Sequence, residues 1–124
     1  MTVRGRGDAE GDLFRHLAPL TLSTLLSSMP ISGRVNRFDD VFIYVISDAV
    51  LGVEKARKGF ERGEVAFLPS NGAICIFLRD SSVAKSMNPI GRITKGLDFL
   101  QNTSLGDVIT IQQRESSSTT PSST

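Results

Sequence analysis

Few side chains in this sequence have both the type and the spacing for chemistry. Cys75 is the single cysteine and the obvious nucleophile. It sits inside the apolar run Ala73-Ile74-Cys75-Ile76-Phe77-Leu78, where a free thiol behaves as a small hydrophobe. Asp39 and Asp40 could hold a cation, yet neither a histidine nor a third acid stands near them at ligand spacing, and an exposed turn accounts for both. His16, the single histidine, reads as an edge-strand residue rather than an acid or base. Gly7 and Gly11 suggest a phosphate loop, but the spacing matches neither the dinucleotide nor the Walker pattern. Lys55, Arg57, Lys58 and Arg62 could meet a polyanion, although Glu54, Glu61 and Glu64 among them make a solvated face the simpler account. No metal and no cofactor is expected.

The elements that must position any site follow from the apolar pattern. Val65-Ala66-Phe67-Leu68 and Ala73 to Leu78 are continuous apolar runs joined by Pro69-Ser70-Asn71-Gly72, which predicts a hairpin buried on both faces. Val41 to Ile46 is a strand by composition, paired with Arg34 to Phe38 across Asp39-Asp40. Thr2 to Arg6 and Asp12 to His16 are expected to pair across a polar turn at Gly7 to Gly11. Leu22, Leu25, Leu26 and Met29 share one face of a helix that follows Pro19 and ends at Pro30, with Thr21 as its N-cap. A second helix is expected over Leu51 to Arg62, with Val53, Ala56 and Phe60 on its apolar face and Gly63 as its C-cap. Ser81 to Pro89 reads as a polar loop before a short strand, Ile90 to Thr94, in which Gly91 marks a bulge or a close backbone approach. A helical turn over Leu97 to Leu100 and a strand over Asp107 to Gln112 complete the core elements.

Composition sets the outer limits. With 124 residues the chain suits one domain, expected over 1–115, and the Ser/Thr-rich segment 116–124 reads as a disordered tail. The 14 basic and 13 acidic side chains leave a net charge of +1, so no global field draws the protein to nucleic acid. No apolar run reaches the ~18 residues of a membrane span, and Met1 to Arg6 lacks the apolar core of a signal peptide. A cytoplasmic address without a membrane partner is expected, as a monomer or weak homo-oligomer. No internal repeat is visible.

Gly63-Glu64-Val65-Ala66-Phe67-Leu68-Pro69, the glycine turn and Ala73-Ile74-Cys75-Ile76-Phe77 together resemble a segment of the small prokaryotic cyclophilin-like proteins. Ala18-Pro19-Leu20-Thr21 and Ile90 to Leu100 extend the resemblance to about Leu17 to Gln112. It implies an all-β fold with two short helices, a closed barrel of about eight strands with a helix over each end. It also implies a shallow apolar groove on the outer wall that holds a peptide containing proline.

In cyclophilins an arginine donates to the prolyl nitrogen as the amide twists, lowering a torsional barrier of roughly 18–20 kcal/mol. The resemblance places that arginine at Arg37, with Arg34 as the alternative. It places the groove at Phe38, Phe67, Ile74, Ile76 and Met87. On a strand Ile74 and Ile76 share one face and Cys75 and Phe77 the other, so putting the first pair in the groove sends the second to the barrel interior. Ile74 stands where an active cyclophilin carries glutamine, Met87 lies near its histidine, and the tryptophan of many cyclophilins has no counterpart. The reading that follows is a domain binding a peptide or small ligand; the alternatives are a peptidyl-prolyl isomerase and a self-association module.

Overall fold

The computed structural model describes residues 1–14 and 16–113. The expected tail over 116–124 lies outside them. In chain order the strands are β1 (Thr2–Arg4), β2 (Asp8–Leu13), β3 (Ile31–Arg34), β4 (Asn36–Phe38), β5 (Phe42–Ile46), β6 (Arg57–Phe60), β7 (Glu64–Leu68), β8 (Ala73–Phe77), β9 (Ser81–Lys95) and β10 (Val108–Gln112). Two helices, α1 (Pro19–Ser28) and α2 (Leu97–Gln101), accompany them. The β7–β8 hairpin forms as its apolar runs require, with Val65 opposite Ile76 and Phe67 opposite Ile74. It is covered on both sides. Val65, Phe67, Ile74 and Ile76 enter the larger core, with Leu22 and Leu25 of α1 and Ile109 and Ile111 of β10. Ala66, Cys75 and Phe77 enter a second cluster, with Phe42, Phe60 and Met87.

The sheet is open, not the closed barrel that was expected. All ten strands form one antiparallel system in the order β3-β10-β1-β2-β9-β7-β8-β5-β4, with β6 added to β9. Its end strands, β3 and β4, are consecutive in sequence but no ladder joins the two ends. The reason lies at Val35, the buried residue between them. Its N–H donates to the Asp107 carbonyl at 2.6 Å and its carbonyl accepts from Gly106 N–H at 2.9 Å. The chain is thereby turned toward the loop before β10, β3 pairs with β10, and β4 pairs with β5 alone. The fold is thus a mixed α/β arrangement, an open sheet curled around one main core with two short helices.

Three local expectations also change. The β1–β2 turn is tighter than expected, at residues 5–7. The segment 51–62 is not a helix: it runs as an irregular strap into β6, and Val53, assigned to an apolar face, is exposed. Gly63 instead bridges strands with a φ of 92°, donating to the Phe77 carbonyl at 2.8 Å and accepting from Ile93 N–H at 2.7 Å. Ser81 to Pro89 is not a loop but the first half of β9.

Helix α1 carries a cap that local sequence does not supply. Pro19 occupies its first turn, so Ala18 takes the N-cap position in place of Thr21, with no side-chain acceptor to offer. Glu54, on the strap, provides one: its carboxylate accepts from Leu20 N–H at 3.0 Å, Thr21 N–H at 2.8 Å and the Thr21 hydroxyl at 2.9 Å. Negative charge at this end also suits the helix dipole. Partial desolvation opposes the Glu54 carboxylate, but the bonds from Thr21 and Leu20 prevail and hold its pKa below the ordinary value. Asn88 of β9, fully buried, fixes the arrangement. Its amide donates to Thr21 Oγ1 and to the Gly52 carbonyl, both at 3.0 Å, and its oxygen accepts from Glu54 N–H at 2.8 Å.

Candidate functional site

On the outer face of the sheet, alternation along β4 and β5 points Phe38, Phe42 and Tyr44 away from the main core. The first half of β9 rises beside them, carrying Met87 at its base, and a cavity of about 630 Å³ lies between. That volume is in the range of small-ligand sites. Phe38, Val41, Phe42, Tyr44, Leu68, Val83 and Met87 supply apolar lining, while Asn71, Arg79, Asp80, Ser82 and Lys85 bring polar groups to it. The floor is a run of rings in contact. Phe38 stacks on Phe42 at 5.2 Å, Phe42 meets Phe77 at 5.2 Å, and Phe77 stacks on Phe60 at 4.7 Å. Such pairs add stability beyond the area they bury and hold the floor stiff. Phe38 ends the run and remains half exposed (53%), with an apolar face turned to the opening.

β6 anchors this wall. The Arg57 guanidinium lies 4.6 Å over the Phe60 ring and binds the buried Glu64 carboxylate at 2.5 Å, while Glu61 N–H donates to Glu64 at 2.8 Å. Burial opposes the Glu64 charge, but the bonds from Arg57 and Glu61 outweigh it, and its pKa falls below the ordinary carboxylate value. A depressed folded-state pKa contributes stability that is present above the unfolded value and lost as pH falls through the folded one. Glu64→Gln should therefore lower stability at neutral pH and flatten its loss below about pH 4.5, where the unfolded carboxylate titrates. Urea midpoints measured from pH 7 to pH 3 check this, and parallel curves for the two proteins would refute it.

The residues expected at the site divide. Phe38 and Met87 line the groove. Phe67, Ile74 and Ile76 do not: they are buried in the main core, on the opposite face of the β7–β8 hairpin. The expected assignment of strand faces is thus reversed: β5 pairs beside β8 with Ile43 opposite Ile76, and both side chains enter the main core. Cys75 and Phe77 are the pair behind the groove floor. Arg37 points to the other side from Phe38. Its guanidinium donates to the carbonyls of Gln101 at 3.3 Å and Thr103 at 2.9 Å, with Asp40 at 3.8 Å. Arg34 is exposed at the end of β3. His16 is exposed, its ring 6.0 Å from that of Phe14.

Arg79, Tyr44 and Lys85 are lining residues that sequence reasoning did not single out. Arg79 and Lys85 lie in a segment with no apolar alternation, so only the rise of β9 along the groove reveals them. Cys75 is fully buried, and burial pushes its thiol up to about 12. It should resist iodoacetamide in the native protein and react stoichiometrically in denaturant; rapid native labelling followed by mass spectrometry would contradict this placement. Among the described residues no group of three or more His, Cys, Asp or Glu is placed to hold a metal, and no helix is long and apolar enough to cross a membrane.

The architecture has a counterpart among solved structures. A hypothetical protein from Archaeoglobus fulgidus, known from its solution structure, superposes with a TM-score of 0.76 at 25% sequence identity, over 91% of this chain and 92% of that one. No curated protein matches the chain. The sequence pattern of the cyclophilin-like family matches residues 1–112, nearly the whole described chain. That match identifies the chain as a member of the cyclophilin-like family.

Proposed function

We propose that this protein is a binding domain that takes a peptide or small ligand in the groove between β5 and the first half of β9. The observation that supports it most directly is the half-exposed Phe38 ring, stacked on Phe42 at the mouth of a cavity of about 630 Å³. A rigid aromatic surface loses little entropy when a ligand covers it. Binding rather than isomerisation is the reading because Arg37, the arginine suggested for catalysis, donates to backbone carbonyls on the opposite face of β4.

Two measurements test the proposal. Titration of ¹⁵N-labelled protein with proline peptides and aromatic small molecules should move amide resonances of Phe38, Phe42, Val83 and Met87. Phe38→Ala should weaken the affinity about tenfold, roughly 1.4 kcal/mol, without changing the fold. Scattered or absent shifts would remove the groove from consideration. Isomerisation of Xaa-Pro peptides should run at the uncatalysed rate, and an acceleration abolished in Arg37→Ala would overturn the non-enzymatic reading.

A further inference from the structure

We infer that the groove selects a small aromatic acid, with its ring against Phe38 and Phe42 and its carboxylate at Arg79 and Lys85; this rests on the groove being a ligand site. Arg79 and Lys85 both line the cavity and are exposed, and among the described residues neither side chain makes an ion pair or hydrogen bond. Arg37, Arg57, Arg62 and Arg92 each donate to a carbonyl, carboxamide or carboxylate oxygen elsewhere on the molecule, and what sets Arg79 and Lys85 apart from the other unpaired cations is their place on the cavity lining. The Tyr44 hydroxyl, also on the lining, likewise has no partner among the described residues.

The one carboxylate of the lining, Asp80, is already engaged, since its Oδ1 accepts from Arg62 N–H at 2.8 Å. Asn71, Ser81, Ser82 and the Tyr44 phenol on the lining can both donate and accept, so the groups that can only donate are a guanidinium and an ammonium, and the one carboxylate is directed to the backbone. A group that can only accept, and carries negative charge, complements that set. The rest of the groove is aromatic and aliphatic, which requires the remainder of the ligand to be apolar. The volume of about 630 Å³ fits a molecule of one or two rings.

The matched probes are 2-naphthoate and 2-naphthamide, which share a ring system and nearly a shape but differ in charge. Titrated into ¹⁵N-labelled full chain at low salt, naphthoate should bind about tenfold more tightly, with shifts at Phe38, Tyr44 and Val83. The difference should vanish in the Arg79→Gln/Lys85→Gln double variant and shrink in about 0.5 M NaCl, because these are exposed cations. Both substitutions are on exposed side chains, so folding is preserved, and naphthamide affinity serves as the internal control. Equal affinities at the groove would overturn the preference for an acid while leaving the groove as a ligand site. A preference that survives the double variant would overturn the assignment to Arg79 and Lys85. If neither probe shifts the groove, and no other aromatic compound or peptide does, the ligand-site reading itself falls.

Discussion

Asn88→Ala should lower the stability of this protein by about 3 kcal/mol and its melting temperature by on the order of 10 °C. The Asn88 side chain is fully buried and makes three hydrogen bonds at once, to Thr21, Gly52 and Glu54. Removing it strands one donor and two acceptors that belong to different segments, and each buried group left unpaired costs about 1–3 kcal/mol. The consequence is not confined to β9. Glu54 caps α1 only while the strap is held in place, so the helix start should fray as the strap loosens. Urea unfolding followed by circular dichroism should show a lower midpoint with an unchanged slope. Thr21→Val removes a second member of the same network, and the double variant should lose less than the two single losses added together. A loss below about 1 kcal/mol for Asn88→Ala would mean that water replaces the side chain at little cost.

Gly91→Ala should be at least as damaging, for a different reason. β2 and β9 approach each other through two glycines: a Cβ at Gly91 would run into the Asp12 carbonyl oxygen, and one at Gly11 into that of Arg92. These are backbone obstacles on paired strands and cannot rotate away as a side chain can. β9 also bulges here, with Val65 opposite Gly91 but Ala66 opposite Pro89, so Ile90 is the extra residue. Relief would have to separate β2 from β9, and the expected loss is about 3 kcal/mol or failure to accumulate as soluble protein. Gly59→Ala is the control. No atom lies within 4 Å of a Cβ at Gly59, and its exposed strand position should tolerate the change within about 0.5 kcal/mol. Equal stabilities for the two alanine variants would show that the β2–β9 approach is adjustable.

The sequence reads most clearly where burial on both faces leaves an unbroken apolar signal. That is the case for β7 and β8; β5 shows through its β-branched and aromatic composition, and the close approach at Gly91 was legible from its place inside an apolar strand. The signal fails where a strand is exposed. Ser81 to Ser86 is mostly polar because much of it faces solvent beside the groove, and nothing in its composition separates it from a loop. Val53, Ala56 and Phe60 happen to sit at helical spacing, yet Phe60 is buried through β6 while Val53 is left exposed. The openness of the sheet depends on hydrogen bonds between Val35 and residues 106–107, a long-range choice that no local pattern encodes. The faces of β8 could not be read, because alternation fixes which residues share a side but not which side faces inward.

The hairpin of β7 and β8 separates the two cores, with Phe67, Ile74 and Ile76 on one side and Cys75 and Phe77 beneath the groove on the other. Loss of the main core therefore takes the groove floor with it, because one hairpin contributes to both. Occupancy of the groove and global unfolding become linked equilibria, and a compound at a hundred times its Kd should stabilise the native state by about 2.7 kcal/mol. An unlabelled thermal scan then becomes a search tool: compounds that raise the melting temperature of the native chain but not of Phe38→Ala are those held by the groove.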